Sequence, residues 1–182
     1  MSFVTKLMRG NILFLLIFFL LACFITYPLI FNLTSLATGY GDELLIAWNH
    51  NWDIYNFSFN IQNLLHIFDA NIFFPFKTSL AFSDAYFTNS ILALIPVMLL
   101  DSPIVANNFT IILSLTLVGF FTFKLSKLIT NSGIFSFISG VLIIFSPAYL
   151  SELVHIQIIA IYFVTLSIIF YKQKKLFILF YF

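Results

Sequence analysis

Charge is what this sequence has least of. Lys, Arg, Asp and Glu make up 8% of its 182 residues, against about 25% in a soluble domain. That shortage excludes an ordinary globular protein in water. The few charges nearly cancel, to a formal +1, which excludes a whole-chain basic field for nucleic acid. The single cysteine, Cys23, sits inside an apolar run, so there is no disulfide framework and no zinc site built on thiolates. It reads as a small buried hydrophobe. Six glycines beside 26 phenylalanines exclude collagen-like and disordered chains. P-loop, GxGxxG, HExxH and GxSxG motifs are all missing.

What remains is apolar: 62% of residues are hydrophobic and the mean hydropathy is +1.07. The expected fold class is all-α, a polytopic membrane helix bundle. Lys6 and Arg9 precede an apolar run over 12–31, long enough to cross a ~30 Å hydrocarbon core and too long for a signal peptide. Further spans are expected at about 104–123, 134–150 and 153–171. Lys172, Lys174 and Lys175 precede a last apolar stretch from 176, which reads as a truncated span and the chain as the N-terminal part of something longer. The run 91–100 is short and contains Pro96.

Whether that run spans decides the topology. If it does not, seven of the eight basic residues lie on one side, with Lys77 the exception. If it does, the division is two against six. Short cytoplasmic loops prefer Lys and Arg, so the first arrangement is expected. It puts the N-terminus in the cytoplasm and residues 32–103 outside as one long loop. The protein is then an integral, multi-pass protein of the plasma (inner) membrane, with membrane lipids among its partners and no nucleic acid.

A connection that long is seldom passive. From Asp42 to about Ile67 the pattern is helical. Leu45, Trp48, Trp52, Tyr55 and Phe59 form an apolar stripe, and Asn49, Asp53, Asn56, Asn60 and Asn63 a polar one. The expectation is an amphipathic helix lying flat in the outer interface, followed by a juxtamembrane or re-entrant helix over 89–101. Within the bilayer, Ser132, Ser136 and Gly140 repeat at a spacing that lets two helix backbones approach.

The acids gather on the outer side. Asp42 and Glu43 follow Gly39-Tyr40-Gly41 where the flat helix begins. Asp42 reads either as an N-cap or as a general base held at the membrane surface. Glu152 and His155, at i and i+3, are expected to share a helix face, as a solvated interfacial pair or as a pair able to bind a metal or polarise a hydroxyl, supporting Asp42 in one site. Asp84 reads as a helix cap or a site residue. Lys77 is the only permanent cation outside, either solvated or a phosphate contact. His50 and His66 read as lone polar residues, and the Asn-x-Ser/Thr triplets at Asn32, Asn56 and Asn108 as chance.

An acidic pair soon after a first span, then a flat outer helix and a short juxtamembrane helix, resembles the GT-C superfamily of membrane glycosyltransferases. These include protein O-mannosyltransferases, aminoarabinose transferases and oligosaccharyltransferase catalytic subunits. Closer still, Gly41-Asp42-Glu43, the run from Phe68-Asp69-Ala70-Asn71 to Phe74-Pro75, Ala81-Phe82-Ser83-Asp84, and Ser146-Pro147 followed by His155-Ile156-Gln157 look like a set of bacterial GT-C-like proteins. The resemblance implies transfer of a sugar from a polyprenyl-phosphate carrier on the outer leaflet. Asp42, beside Glu43, would activate the acceptor hydroxyl, and Lys77, Asp84, Glu152 and His155 would help bind substrate. The lipid-linked sugar donor is the implied partner; no cofactor and no metal are assigned. The rival is a non-enzymatic membrane protein, a transporter part or lipid-binding scaffold, or an inactive fragment. Spans free of charge speak against a transport path.

Overall fold

A computed structural model describes residues 12–39, 41–59, 61–84, 86–102 and 104–173. Among these every regular element is helical and none is a strand. In chain order the helices are α1 (Ile12–Ile25), α2 (Asp42–Phe59), α3 (Ile61–Leu65), α4 (Phe87–Leu100), α5 (Val105–Thr130), α6 (Gly133–Ile144), α7 (Pro147–Leu150), α8 (Ile156–Ile159) and α9 (Tyr162–Lys172), with short 3-10 turns at Leu29–Phe31 and Ser79–Phe82. Two compact units result. One comprises 29–111 with 154–157; the other takes the described residues up to 28, then 112–153, then those from 158.

Among the described residues only α5 is both long and apolar enough to cross a membrane, at 26 residues. The other expected spans are shorter or interrupted. The run expected over 12–31 is helical only to Ile25; Pro28 lacks an N–H to continue it, and the Thr26 hydroxyl donates back to the Ala22 carbonyl at 2.8 Å. The run over 134–150 breaks after Ile144, and Ser146-Pro147 opens a new helix with proline in its first turn. The residue before a proline is driven from helical to extended backbone, and Ser146 is extended, with ψ 125°. Over 153–171 a turn through His155 precedes two separate helices. Lys6, Arg9, Lys174, Lys175 and the apolar stretch from 176 lie outside the described residues.

The unit built on α1, most of α5, α6 and α9 packs around aromatic rings. Phe14 stacks on Phe123 with centroids 4.4 Å apart, and Phe18 lies 5.8 Å from Phe137. Two glycines make room for Phe18: a Cβ at Gly119 would stand 2.7 Å from its ring and one at Gly140 2.5 Å. The same Cβ at Gly140 would meet the Gly119 carbonyl at 2.6 Å, so α5 and α6 approach backbone to backbone. Ser136 and Gly140 of the expected small-residue stripe are buried here, while Ser132 caps α6 by accepting the Phe135 N–H.

In the other unit α2 packs on α4, around a core of Ile54, Ala93, Val97, Val105 and Ala106. The segment 33–38 is held by the start of α5: the Asn108 amide donates to the carbonyls of Leu33 and Leu36 at 2.9 and 2.8 Å. Asn107 donates to the Thr38 hydroxyl at 3.2 Å. On α2 the polar stripe turns inward: Asn49, Asp53 and Asn56 are buried beside Ile46, Ala47 and Ile54. Of the expected apolar stripe Leu45 and Tyr55 are exposed, while Trp48 and Trp52 are half-buried, the Trp52 indole N–H donating to the Ile67 carbonyl at 2.6 Å. The inward polar stripe is matched by Asn89 and Ser90 of α4, which are buried as well.

Candidate functional site

At the start of α2 the two acids divide their tasks. The Glu43 carboxylate turns back and accepts the Gly41 N–H at 3.1 Å, satisfying a backbone donor that the helix start leaves open. It lies so close over Gly39 that a Cβ there would meet Oε1 at 2.0 Å. Glu43 therefore caps this helix start, a role the sequence had offered Asp42 as one of two alternatives. Asp42 opens the helix with its side chain exposed.

Asp42 takes part in a second constellation. The hydroxyl of Tyr86 lies 3.4 Å from Asp84 Oδ2 and 3.5 Å from Gln157 Oε1, and the Gln157 amide donates to the same Asp84 oxygen at 3.2 Å. The Tyr86 pKa is driven up first by burial, then by the charge and hydrogen bond of Asp84, and further by the charge of Asp42. Asp84 thus acts on the phenol by direct contact and Asp42 by its charge alone, and the phenol stays a neutral O–H donor at physiological pH. Asp84 is exposed and Tyr86 buried. Tyr86 and Gln157 escaped the sequence reading of the site. Asp84-x-Tyr86 and the run His155-Ile156-Gln157 were in view, but nothing in the spacing gave Tyr86 or Gln157 a role or announced their contact across 71 residues.

Beneath Tyr86 lies a buried chain of polar groups. The His50 ring is 5.4 Å from the Tyr86 ring. Ser90 Oγ donates to Asp53 Oδ2 at 2.8 Å and meets His50 Nδ1 at 2.8 Å. Since the hydroxyl proton goes to the carboxylate, Nδ1 must carry the hydrogen, which leaves Nε2 as a bare acceptor. His50 Nε2, Asp53 Oδ1 and Asn49 Oδ1 are buried without a hydrogen-bond partner. Burial pushes the Asp53 carboxyl up to about 6, opposed in part by the Ser90 hydroxyl, and holds the His50 imidazole down to about 4. Far from being lone, His50 is joined through Ser90 to Asp53 in a network whose charged forms the interior resists. A helical wheel does show His50 and Asp53 one turn apart; their partner on α4 was invisible.

Lys77 sits in the loop between α3 and α4. Asp69 organises that loop, accepting the Thr78 N–H on Oδ1 at 2.8 Å and pairing with His66 Nδ1 through Oδ2 at 2.9 Å. The His66 hydrogen bond, then the Thr78 N–H, holds its pKa below the usual carboxylate range. Lys77 lines a cavity of about 790 Å³ together with Leu45, Phe73, Phe76 and Phe82. The wall ends at Ser83, next to Asp84, and Leu45 is one turn on from Asp42. The trough is apolar, and Lys77 is the one charged residue in its wall.

Glu152 and His155 do not share a helical turn, because residues 151–154 form a turn between α7 and α8. His155 belongs with the 29–111 unit and Glu152 with the other. Asn56 and Asn108 are buried, which closes both triplets to glycosylation. Among the described residues no three His, Cys, Asp or Glu side chains are grouped so as to hold a metal ion. Comparison with family models, curated proteins and solved structures finds no match to this chain.

Proposed function

We propose that this chain is part of a multi-pass inner-membrane glycosyltransferase that takes a sugar from a polyprenyl-phosphate carrier on the outer face. The observation that carries the reading is the hydrogen-bonded Asp84–Gln157–Tyr86 group, next in the chain to Ser83 of an apolar cavity whose wall also holds Lys77. In this reading Asp42 removes the proton from the acceptor hydroxyl. The acceptor oxygen then bonds to the sugar's anomeric carbon as the bond from that carbon to the carrier phosphate breaks. Lys77 receives the phosphate charge, and the Asp84–Gln157–Tyr86 group holds sugar hydroxyls.

The membrane setting is supported by α5, whose 26 residues rise about 39 Å against a hydrocarbon core of ~30 Å. It is supported too by the apolar outer face of α2, a distribution suited to surroundings that are not water. The seven-to-one division of basic residues supports a cytoplasmic N-terminus. The resemblance to the GT-C superfamily adds the substrate class. A non-enzymatic scaffold remains the rival reading, and the buried His50–Ser90–Asp53 chain is neutral between the two.

The test is Asp42→Asn, assayed in membranes with polyprenyl-phosphate-linked mannose and aminoarabinose as donors. The substitution keeps shape and removes the base; general-base catalysis contributes about 10²–10⁴-fold, so transfer should fall by that factor while membrane insertion persists. Transfer undiminished by Asp42→Asn, or none by the unmodified protein with either donor, would overturn the reading.

A further inference from the structure

The loop that carries Lys77 presents its aromatic residues to the outside. Phe73 is 74% exposed, Phe74 90%, Phe76 75% and Phe82 92%. Phenylalanine has no polar atom to hydrate, and Phe73, Phe76 and Phe82 come together on one cavity; exposed apolar side chains gathered in this way mark a binding surface. The backbone beneath is nonetheless pinned inward. Thr78 N–H donates to Asp69, the Ser79 hydroxyl to the Ala70 carbonyl at 3.2 Å, and the Leu80 N–H to the Phe68 carbonyl at 3.1 Å. Ser79 and Leu80 are buried. The segment thus has a core-facing side and an aromatic side, and the aromatic side is prearranged.

We propose that residues 73–82 dip into the headgroup and upper acyl region of the outer leaflet, with Lys77 at the phosphate level. Three observations select a bilayer as the occupant. The first is the pairing of charge and apolar surface: Lys77 is the only Lys or Arg between Arg9 and Lys124, and it stands among the phenylalanines. A cation flanked by aromatic rings matches the order in which a membrane offers phosphate and hydrocarbon. The second is continuity. Leu45, on the outward stripe of α2, lines the same cavity as Phe73, Phe76 and Phe82, so helix and loop form one apolar surface. The third is attachment, because the unit runs directly into α5, the long apolar helix.

The inference rests on the membrane setting and not on sugar transfer. If it holds, the cavity opens toward lipid, and a lipid-borne ligand reaches Lys77 without crossing water.

The experiment uses the whole chain with Cys23→Ser and Phe74→Cys, labelled at position 74 with an environment-sensitive fluorophore. The protein is reconstituted in vesicles of phosphatidylcholine and phosphatidylglycerol. The expected result is blue-shifted emission, quenching by lipids spin-labelled near the headgroup, and shielding from aqueous iodide. Adding Lys77→Glu should lower the lipid quenching in vesicles rich in phosphatidylglycerol and change it little in pure phosphatidylcholine. Iodide quenching without lipid quenching would place the loop in water and overturn the proposal. Shielding from both quenchers would assign the surface to protein and overturn it too. Alkaline extraction of the same vesicles separates this from the membrane setting: a chain that stays embedded while position 74 is open to iodide refutes the loop alone. A chain that is extracted refutes the spanning reading, and lipid quenching of position 74 then tests surface binding on its own.

Discussion

His50→Gln and Asp53→Asn separate two opposed pH dependences that the unmodified protein superimposes. Asp53 is raised from an ordinary 3.8 to about 6 by burial. Its protonated form is favoured in the fold, so the penalty is absent below the unfolded value, grows as pH rises, and is complete above about 6. At 1.36 kcal/mol per pKa unit it reaches about 3 kcal/mol. His50 is lowered from 6.5 to about 4. Its neutral form is favoured, so this penalty is absent above the unfolded value, grows as pH falls, and also reaches about 3 kcal/mol near pH 4. One penalty rises as the other falls, and between pH 7 and 4 their sum changes by less than about 1 kcal/mol.

Removing one partner exposes the other. His50→Gln should gain about 2 kcal/mol between pH 7 and pH 4, and Asp53→Asn should lose about 3 kcal/mol over the same interval. Hydrogen exchange over 42–59 and 87–100, corrected for intrinsic rates, reads the opening of α2 from α4 at each pH. Surface carboxylates such as Asp69 contribute alike to all three proteins and cancel in the comparison, as do the pH-independent packing changes of each variant. Slopes of the same sign in both variants, or slopes equal to that of the unmodified protein, would refute the argument.

Other perturbations test the packing directly. Ser90→Ala strips the shared hydroxyl from both His50 and Asp53, leaving a buried donor and a buried carboxylate oxygen unmet. The expected loss is about 2–4 kcal/mol, seen as faster exchange in α2 and α4 and not in α9. Gly140→Ala drives a methyl group into the Gly119 carbonyl and the Phe18 ring, an overpacking that costs about 1–3 kcal/mol and lowers the thermal midpoint in detergent. Gly133→Ala is the control, since nothing lies within 4 Å of a Cβ there; it should be neutral or gain up to about 1 kcal/mol.

Composition and periodicity made the helical class readable; they located α4 and the starts of α2 and α5 to within a few residues, but ran α2 on to about Ile67 where it ends at Phe59 and stopped α5 at Phe123 where it continues to Thr130. They overestimated the lengths of the other apolar helices for a definite reason. Hydropathy sums over a window and does not register where the backbone turns, so Leu-Ile-Ile-Phe before Ser146-Pro147 and Tyr-Leu after it scored as one span. The proline rules locate that break, and Pro28 marks the end of the first run in the same way. The small-residue spacing at Ser136 and Gly140 survived because it reports directly on how close two backbones can come.

The candidate site was readable only where it is local. The acidic pair and the cation stand out in so uncharged a chain, and Asp42, Asp84 and Lys77 were singled out on that ground. What linked them was not visible. Tyr86 and Gln157 are ordinary residue types whose significance arises from a contact across 71 positions, and spacing carries no information at that range. The polar stripe of α2 misled in a more instructive way. In water a stripe of Asn49, Asp53 and Asn56 faces solvent, and that assumption made His50 look isolated. In the structure that stripe turns inward, toward Asn89 and Ser90, beside Ile46, Ala47 and Ile54. The inversion makes a core out of residues that would otherwise be surface, and it is why an aspartate at 1% exposure and a histidine at 0% lie one turn apart with a single serine between them.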